Sequence, residues 1–165
     1  MEHPSTQAAD PTAFRPAKVI SGGQTGVDRA GLEAAIQLGI PHGGWCPRGR
    51  LAEDGQVPAK YQLDELESPD YVVRTEQNVI DADATLILYE RKLSGGTQLT
   101  KSFAKRHDKP HVAIRIDRPG HVAKARQWLS AVRPQILNVA GPRESNFPGI
   151  QSRAEAALLT ILRLT

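Results

Sequence analysis

Lys18-Val19-Ile20-Ser21-Gly22-Gly23-Gln24-Thr25-Gly26 decides the fold: a short apolar run empties into a glycine-bearing turn, and an amphipathic segment follows at once. In residues 27–38 the apolar positions Val27, Ala30, Leu32, Ala34, Ala35, Ile36 and Leu38 make one helical face and its flank. Gly39 stands where a helix C-terminal glycine belongs. The pattern recurs twice. Thr85-Leu86-Ile87-Leu88-Tyr89 comes before Ser94-Gly95-Gly96-Thr97, and Gln135-Ile136-Leu137-Asn138-Val139 before Ala140-Gly141-Pro142-Arg143. As parallel strands, the three runs send their turns off one edge of a single sheet, where open α/β sheets hold ligands. Glycines there let backbone N–H groups face an anion at a helix N-terminus. Three such turns point to a phosphate-bearing or otherwise anionic small ligand.

Further strands are expected at 40–46, running into a loop, at 84–89, 111–116 and 136–139, with Tyr71-Val72-Val73 as a small edge strand. Thr75 is expected to cap a helix over 76–82. Other helices are expected at 97–107, 121–132 and 151–164. Residues 47–68, polar and carrying Gly49, Gly55 and Pro58, read as an irregular insertion or lid. Alternating strands and helices with short connections imply an α/β fold: a single Rossmann-like, doubly wound domain over residues 17–165. Its sheet should be mainly parallel, with about five or six strands. Residues 1–16, with Pro4, Pro11 and Pro16 among small and polar residues, are expected to form a disordered lead-in.

Composition narrows the class. A chain of 165 residues, 39% hydrophobic and 24% charged, has the balance of an ordinary single globular domain. No apolar run approaches the roughly 18 residues of a membrane helix, and the N-terminal stretch lacks the apolar core of a secretory signal. One cysteine excludes an internal disulfide framework and fits a reducing, cytoplasmic setting. The net charge of +3 does not imply nucleic acid. Between Arg91 and Arg126, however, ten Lys/Arg face only Asp108 and Asp117. That segment reads either as solvated helix faces or as a field that draws in an anion. With only eight Phe, Trp and Tyr in the chain, base-stacking surfaces are scarce, so a nucleic-acid partner is not expected.

The candidate site follows from the turns. Gly22, Gly23, Gln24, Thr25 and Gly26 form the first, with Asp28 in the opening helical turn, where it serves the helix dipole or accepts from a ligand N–H. The spacing is neither a dinucleotide fingerprint nor a Walker loop, since Val27-Asp28 stands where Lys-Ser/Thr would be. Gly95, Gly96 and Thr97 open a second helix whose first amides can wrap an oxyanion. Arg143 offers a fork for phosphate or carboxylate. Arg74 and Glu76, at a helix start, can project into the same crevice. Cys46 lies between Trp45 and Pro47-Arg48-Gly49-Arg50; as a thiolate beside those arginines it could be a nucleophile or soft metal ligand, and otherwise it is a small buried residue. The histidines show no metal-binding spacing, and no metal ligand is expected.

Several separated motifs, Ser21-Gly-Gly-Gln-Thr-Gly-Val-Asp-Arg-Ala30, Gly44-Trp-Cys-Pro-Arg-Gly-Arg50, Arg74-Thr-Glu76 with Asn78-Val79, Gly96-Thr97 and Leu137-Asn-Val-Ala-Gly-Pro-Arg-Glu-Ser145, together resemble the molybdenum cofactor carrier protein family. The resemblance runs from about Val19 to the C-terminus. It implies a Rossmann-like domain related to the lysine-decarboxylase-like and DNA-processing groups, which bind nucleotides or their derivatives. It further implies binding, storage or transfer of molybdenum cofactor, a phosphorylated molybdenum pterin, or of molybdate. A homo-oligomer (dimer or tetramer) is implied too, with cofactor-synthesis or acceptor proteins as partners. The alternative is a nucleotide-binding protein or nucleoside-monophosphate hydrolase. The hydrolytic relatives carry P-G-G-x-G-T-x-x-E; here Ser94-Gly-Gly-Thr-Gln-Leu-Thr100 puts Thr100 where the glutamate would fall, and Glu76 is the residue considered as its substitute.

Overall fold

The computed structural model describes residues 13–164. Five strands form one all-parallel sheet: β1 (Lys18–Ile20), β2 (His42–Gly43), β7 (Ala84–Tyr89), β8 (His111–Arg115) and β9 (Ile136–Ala140), in the spatial order β2-β1-β9-β7-β8. The helices are α1 (Val27–Leu38), α2 (Tyr71–Asp81), α3 (Gly95–Arg106), α4 (His121–Val132) and α5 (Ile150–Leu162). The α/β class and the parallel sheet are as the sequence implies. β7 shows why its apolar run is continuous. Leu86 and Leu88 join the cluster that α1, α4 and α5 bury, with Val27, Leu129, Leu137, Val139 and Leu158. Thr85 and Ile87, alternating with them, are equally buried and must face the other side, where α2 and α3 pack Val79, Phe103 and Ala104 together.

Gly39 ends α1 in the left-handed region at φ 70°, and its N–H returns to the carbonyls of Ala35 and Ile36. The expected strand at 40–46 is two short pieces, β2 and β3 (Trp45–Cys46), separated by Gly44. Residues 47–68 are more ordered than an irregular lid. A 3₁₀ turn (Arg48–Arg50), a hairpin of β4 (Leu51–Ala52) and β5 (Gly55–Gln56), and β6 (Asp64–Glu65), paired parallel to β3, fold this segment back. Ala52, Val57, Tyr61 and Leu63 close over Leu32 of α1 and Cys46. Burial pushes the Cys46 thiol up, outweighing the pull of Arg50 and Arg74. The cysteine is therefore a core residue here, and its arginine neighbours do not activate it.

Tyr71-Val72-Val73 is not an edge strand. Asp70 caps the helix, its Oδ1 accepting from the Val72 amide at 2.8 Å, so α2 begins at Tyr71 and Thr75 lies inside it. The Thr75 hydroxyl donates back to the Tyr71 carbonyl at 2.9 Å. Capping outweighed the β-propensity of two adjacent valines, both of which stay exposed. Of the expected lead-in, residues 1–12 lie outside the described residues, while Phe14 packs against the main core and stacks with Arg133, 4.7 Å from its ring centroid. Much of the basic segment is solvated surface, with Arg106 paired to Glu76 and Arg115 to Asp117.

Replacing Asp70 with Ala is expected to cost about 1 kcal/mol of stability, and Thr75→Ala under about 0.5 kcal/mol. Urea midpoints read both; the reverse order would return the cap to Thr75.

Candidate functional site

The C-terminal ends of β1, β9 and β7 lie side by side, so their three turns meet over one cleft of about 260 Å³. Gly22, Gln24 and Asp28 line it from the first turn, Ser94, Gly95, Gly96 and Thr97 from the second, and Gly141, Pro142, Arg143 and Ser145 from the third. α2 adds Arg74, Thr75 and Asn78. Gly23, Thr25, Gly26 and Glu76 are outside this lining. The first three of these build the turn. A Cβ on Gly26, at φ 84°, would stand 2.2 Å from the Pro142 carbonyl, which instead accepts the Val27 N–H at 3.1 Å. The first and third turns are thus sealed backbone to backbone. Glu76 points elsewhere and accepts from Arg106 at 3.2 Å with His107 nearby at 3.4 Å. Asp28 is the one carboxylate among the described residues lining the cleft.

Arg74 and Asp28 form a buried pair. Arg74 is 7% exposed and lies flat on Gly22, donating from Nη1 to the Gly22 carbonyl at 3.0 Å. Any Cβ on Gly22 would collide with that side chain, 2.4 Å from its Cδ and 2.5–2.7 Å from its guanidinium. Nη1 also stands 3.6 Å from Asp28 Oδ2, which takes the Gln24 N–H at 3.2 Å. Burial raises the Asp28 carboxyl above its ordinary range; Arg74, the Gln24 amide, Arg29 and Arg143 act against it without winning. The Tyr71 ring lies beside both cleft arginines, 5.4 Å from the Arg74 guanidinium carbon and 5.7 Å from that of Arg143.

The α3 start is an open donor surface. Gln98 is the first residue of this turn whose amide is satisfied, by the Ser94 carbonyl at 2.9 Å. Among the described residues the amides of Gly95, Gly96 and Thr97 find no acceptor. A Cβ on Gly95 or Gly96 would meet nothing within 4 Å. These glycines leave room over a helix N-terminus, with its partial positive charge.

Two features were missed in the sequence. The tip of the β4–β5 hairpin clamps the cleft from outside. Glu53 accepts from the Thr25 hydroxyl, the Ser145 amide (3.1 Å) and the Ser145 hydroxyl (2.5 Å), and its own amide donates to Gln24 Oε1. Burial pushes Glu53 up, but the Ser145 and Thr25 hydrogen bonds outweigh it and hold the carboxylate below its usual range. Beside it, Asp54 accepts from both terminal guanidinium nitrogens of Arg29 at 2.6 and 2.8 Å. The second is Asn138, a 3%-exposed amide lining the cleft. Its signal was present: a polar residue inside the buried run Ile136-Leu137-Asn138-Val139. Among the described residues no group of three or more His, Cys, Asp or Glu could hold a metal ion.

Residues 19–162, which hold all three turns, match the circularly permutated YpsA SLOG family. The chain belongs to that family. Among solved structures, the crystal structure named "Putative molybdenum carrier protein", from Syntrophus aciditrophicus SB, is 45% identical in sequence. The likeness covers 90% of this chain and 96% of that one, with a TM-score of 0.85. No curated protein matches the chain.

Removing Arg74 leaves the buried Asp28 carboxylate without its nearest cation. Arg74→Ala is expected to lose about 3 kcal/mol at neutral pH. In the variant the folded-state carboxyl rises further above the unfolded value of 3.8, so the folded chain holds that proton to higher pH than the unfolded one. Wild-type Asp28 is itself raised, so the variant falls further behind wild type as pH climbs from the wild-type to the variant folded-state value, and recovers below both. Denaturation at several pH values checks this; a pH-independent difference would show that Asp28 does not feel Arg74.

Proposed function

We propose that this SLOG protein binds the molybdenum cofactor through its phosphate and oxo groups, or molybdate itself, and holds it for transfer. The observation that carries the reading is the convergence of unsatisfied α3 amides with Arg74 and Arg143 in one polar cleft. Such a cleft suits a multiply charged oxyanion: the amides supply directional donors, and the guanidiniums add charge. The name given to the 45%-identical structure, a molybdenum carrier, is consistent with a molybdenum-bearing ligand. Gly22, Gln24, Gly95, Gly96, Thr97, Asp28, Arg74 and Arg143 are the proposed ligand-contacting residues, with Gly23, Thr25 and Gly26 shaping the turn behind them.

The work is that of a carrier. The amides are fixed before the ligand arrives, so little reorganisation opposes binding. The nucleotide-hydrolase alternative has less support, since Glu76, its candidate carboxylate, is turned away toward Arg106 and His107. Donor and acceptor proteins of cofactor synthesis, in the cytoplasm, are the proposed partners, and a dimer or tetramer the proposed assembly. Among the described residues no helix is long and apolar enough to cross a membrane.

Native mass spectrometry of freshly purified protein, with elemental analysis for molybdenum and tungsten, tests the cargo. Co-purifying molybdopterin or stoichiometric molybdenum is expected; a bound nucleotide instead would move the alternative ahead. Gly96→Asp tests the site. An acid in the first turn of α3 complements the helix dipole, so stability should hold or rise by about 0.5 kcal/mol. The same carboxylate repels an anion, and molybdate affinity by calorimetry should fall at least about tenfold. Unchanged affinity would remove the α3 turn from the site.

A further inference from the structure

The cleft is chemically divided. Its rim is rich in donors, from the α3 amides and Arg143, while Arg74 is as buried as Asp28. Its floor holds two acceptor oxygens without donors, and Gln24 Nε2 beside them is a buried donor without an acceptor. Asp28 is 8% exposed; Oδ2 takes the Gln24 amide, and among the described residues Oδ1 has no partner. Asn138 donates from Nδ2 to the Thr85 hydroxyl at 3.2 Å, which leaves its Oδ1 likewise without a donor. Both residues are more than nine-tenths buried, and both line the same cleft.

An inorganic oxyanion answers the rim alone. Near neutral pH molybdate brings no proton and phosphate one or two, and a second anion near the Asp28 carboxylate is repelled. Both oxygens open to the cleft; covering them without supplying donors is costly, so a ligand that carries matching donors is favoured. We infer that the ligand joins an anionic group, held at the rim, to adjacent N–H donors read by Asp28 and Asn138 on the floor, as on the 2-amino-4-oxopyrimidine edge that pterins share with guanine. This rests on the anion-binding reading above and deepens it: the heterocycle is recognised as well as the charge. Each floor residue offers one free oxygen, which matches one ring N–H and one neighbouring amino group. The raised Asp28 carboxyl fits this arrangement, since its charged form is undercompensated until a donor arrives. Adenine presents an amino group next to a ring acceptor and meets only one of the two.

Calorimetry on the full chain decides it, with a phosphorylated pterin, GMP, AMP, ribose 5-phosphate and inorganic phosphate as probes. The phosphorylated pterin and GMP are expected to bind at least about tenfold more tightly than AMP or ribose 5-phosphate, the size of a hydrogen bond to a charged group. The order of the first two identifies the source of the edge. Asp28→Asn should weaken both by about tenfold or more while phosphate binding holds or tightens, because a negative charge has gone. Retained phosphate binding also reports an intact cleft, and the wild-type series stands without any variant. AMP or ribose 5-phosphate equal to GMP would overturn the inference, as would an Asp28→Asn protein that loses phosphate and GMP alike. If phosphate and molybdate fail to bind the wild-type chain at all, the anion-cleft reading falls first.

Discussion

The backbone of Ile136–Ala140 is hydrogen-bonded along both edges, and the site depends on that. β9 is the last strand in the chain, yet it lies at the centre of the sheet, with Leu137 beside Val19 on one side and Ala84 on the other. Parallel pairing on both sides forces three strand ends to the same edge. The turn after β9 must therefore sit between the turns after β1 and β7. Gly141 shows how tightly: a Cβ there would stand 2.2 Å from the Leu88 carbonyl. The cleft is the space that this crowding leaves above the central strands.

Electrostatics then divides the cleft in two. Arg74, brought in by α2, lies against Gly22 and faces Asp28 from within the protein. A guanidinium at 3.6 Å without a fork–fork geometry does not cancel the desolvation of a buried carboxylate, which is why Asp28 stays raised. The hairpin tip acts oppositely. Glu53 is wrapped in donors from two turns and held in its charged form, so it fastens the Ser145 loop to the Thr25 turn from outside. One acid is fully committed to holding the walls. The other keeps an oxygen free, and the difference lies in the donors around each.

Much of the frame was legible because its signals are local. β7 is a continuous apolar run, α1 has clean periodicity between Gly26 and Gly39, and α4 spans the residues its pattern marks. The misread elements sit where local preference and context disagree. Val72-Val73 resembles a strand by composition, and a single Asp70 cap turned it into helix. Residues 47–68 resemble a loose lid by polarity, and four spaced apolar side chains were enough to pack them on α1.

The sequence by itself determined the strand–turn–helix order, the glycines that open the turns, and the residue types available for an anion, because each rests on neighbours within a few positions. Only the tertiary structure decided which of those residues meet. Arg74 and Asp28 are 46 positions apart and come together because α2 crosses the β1 turn; Glu76, two residues further along, is carried away because helical geometry turns it by about 200°. Asn138 became part of the floor because the final strand inserted at the centre of the sheet, a long-range pairing that no local pattern encodes.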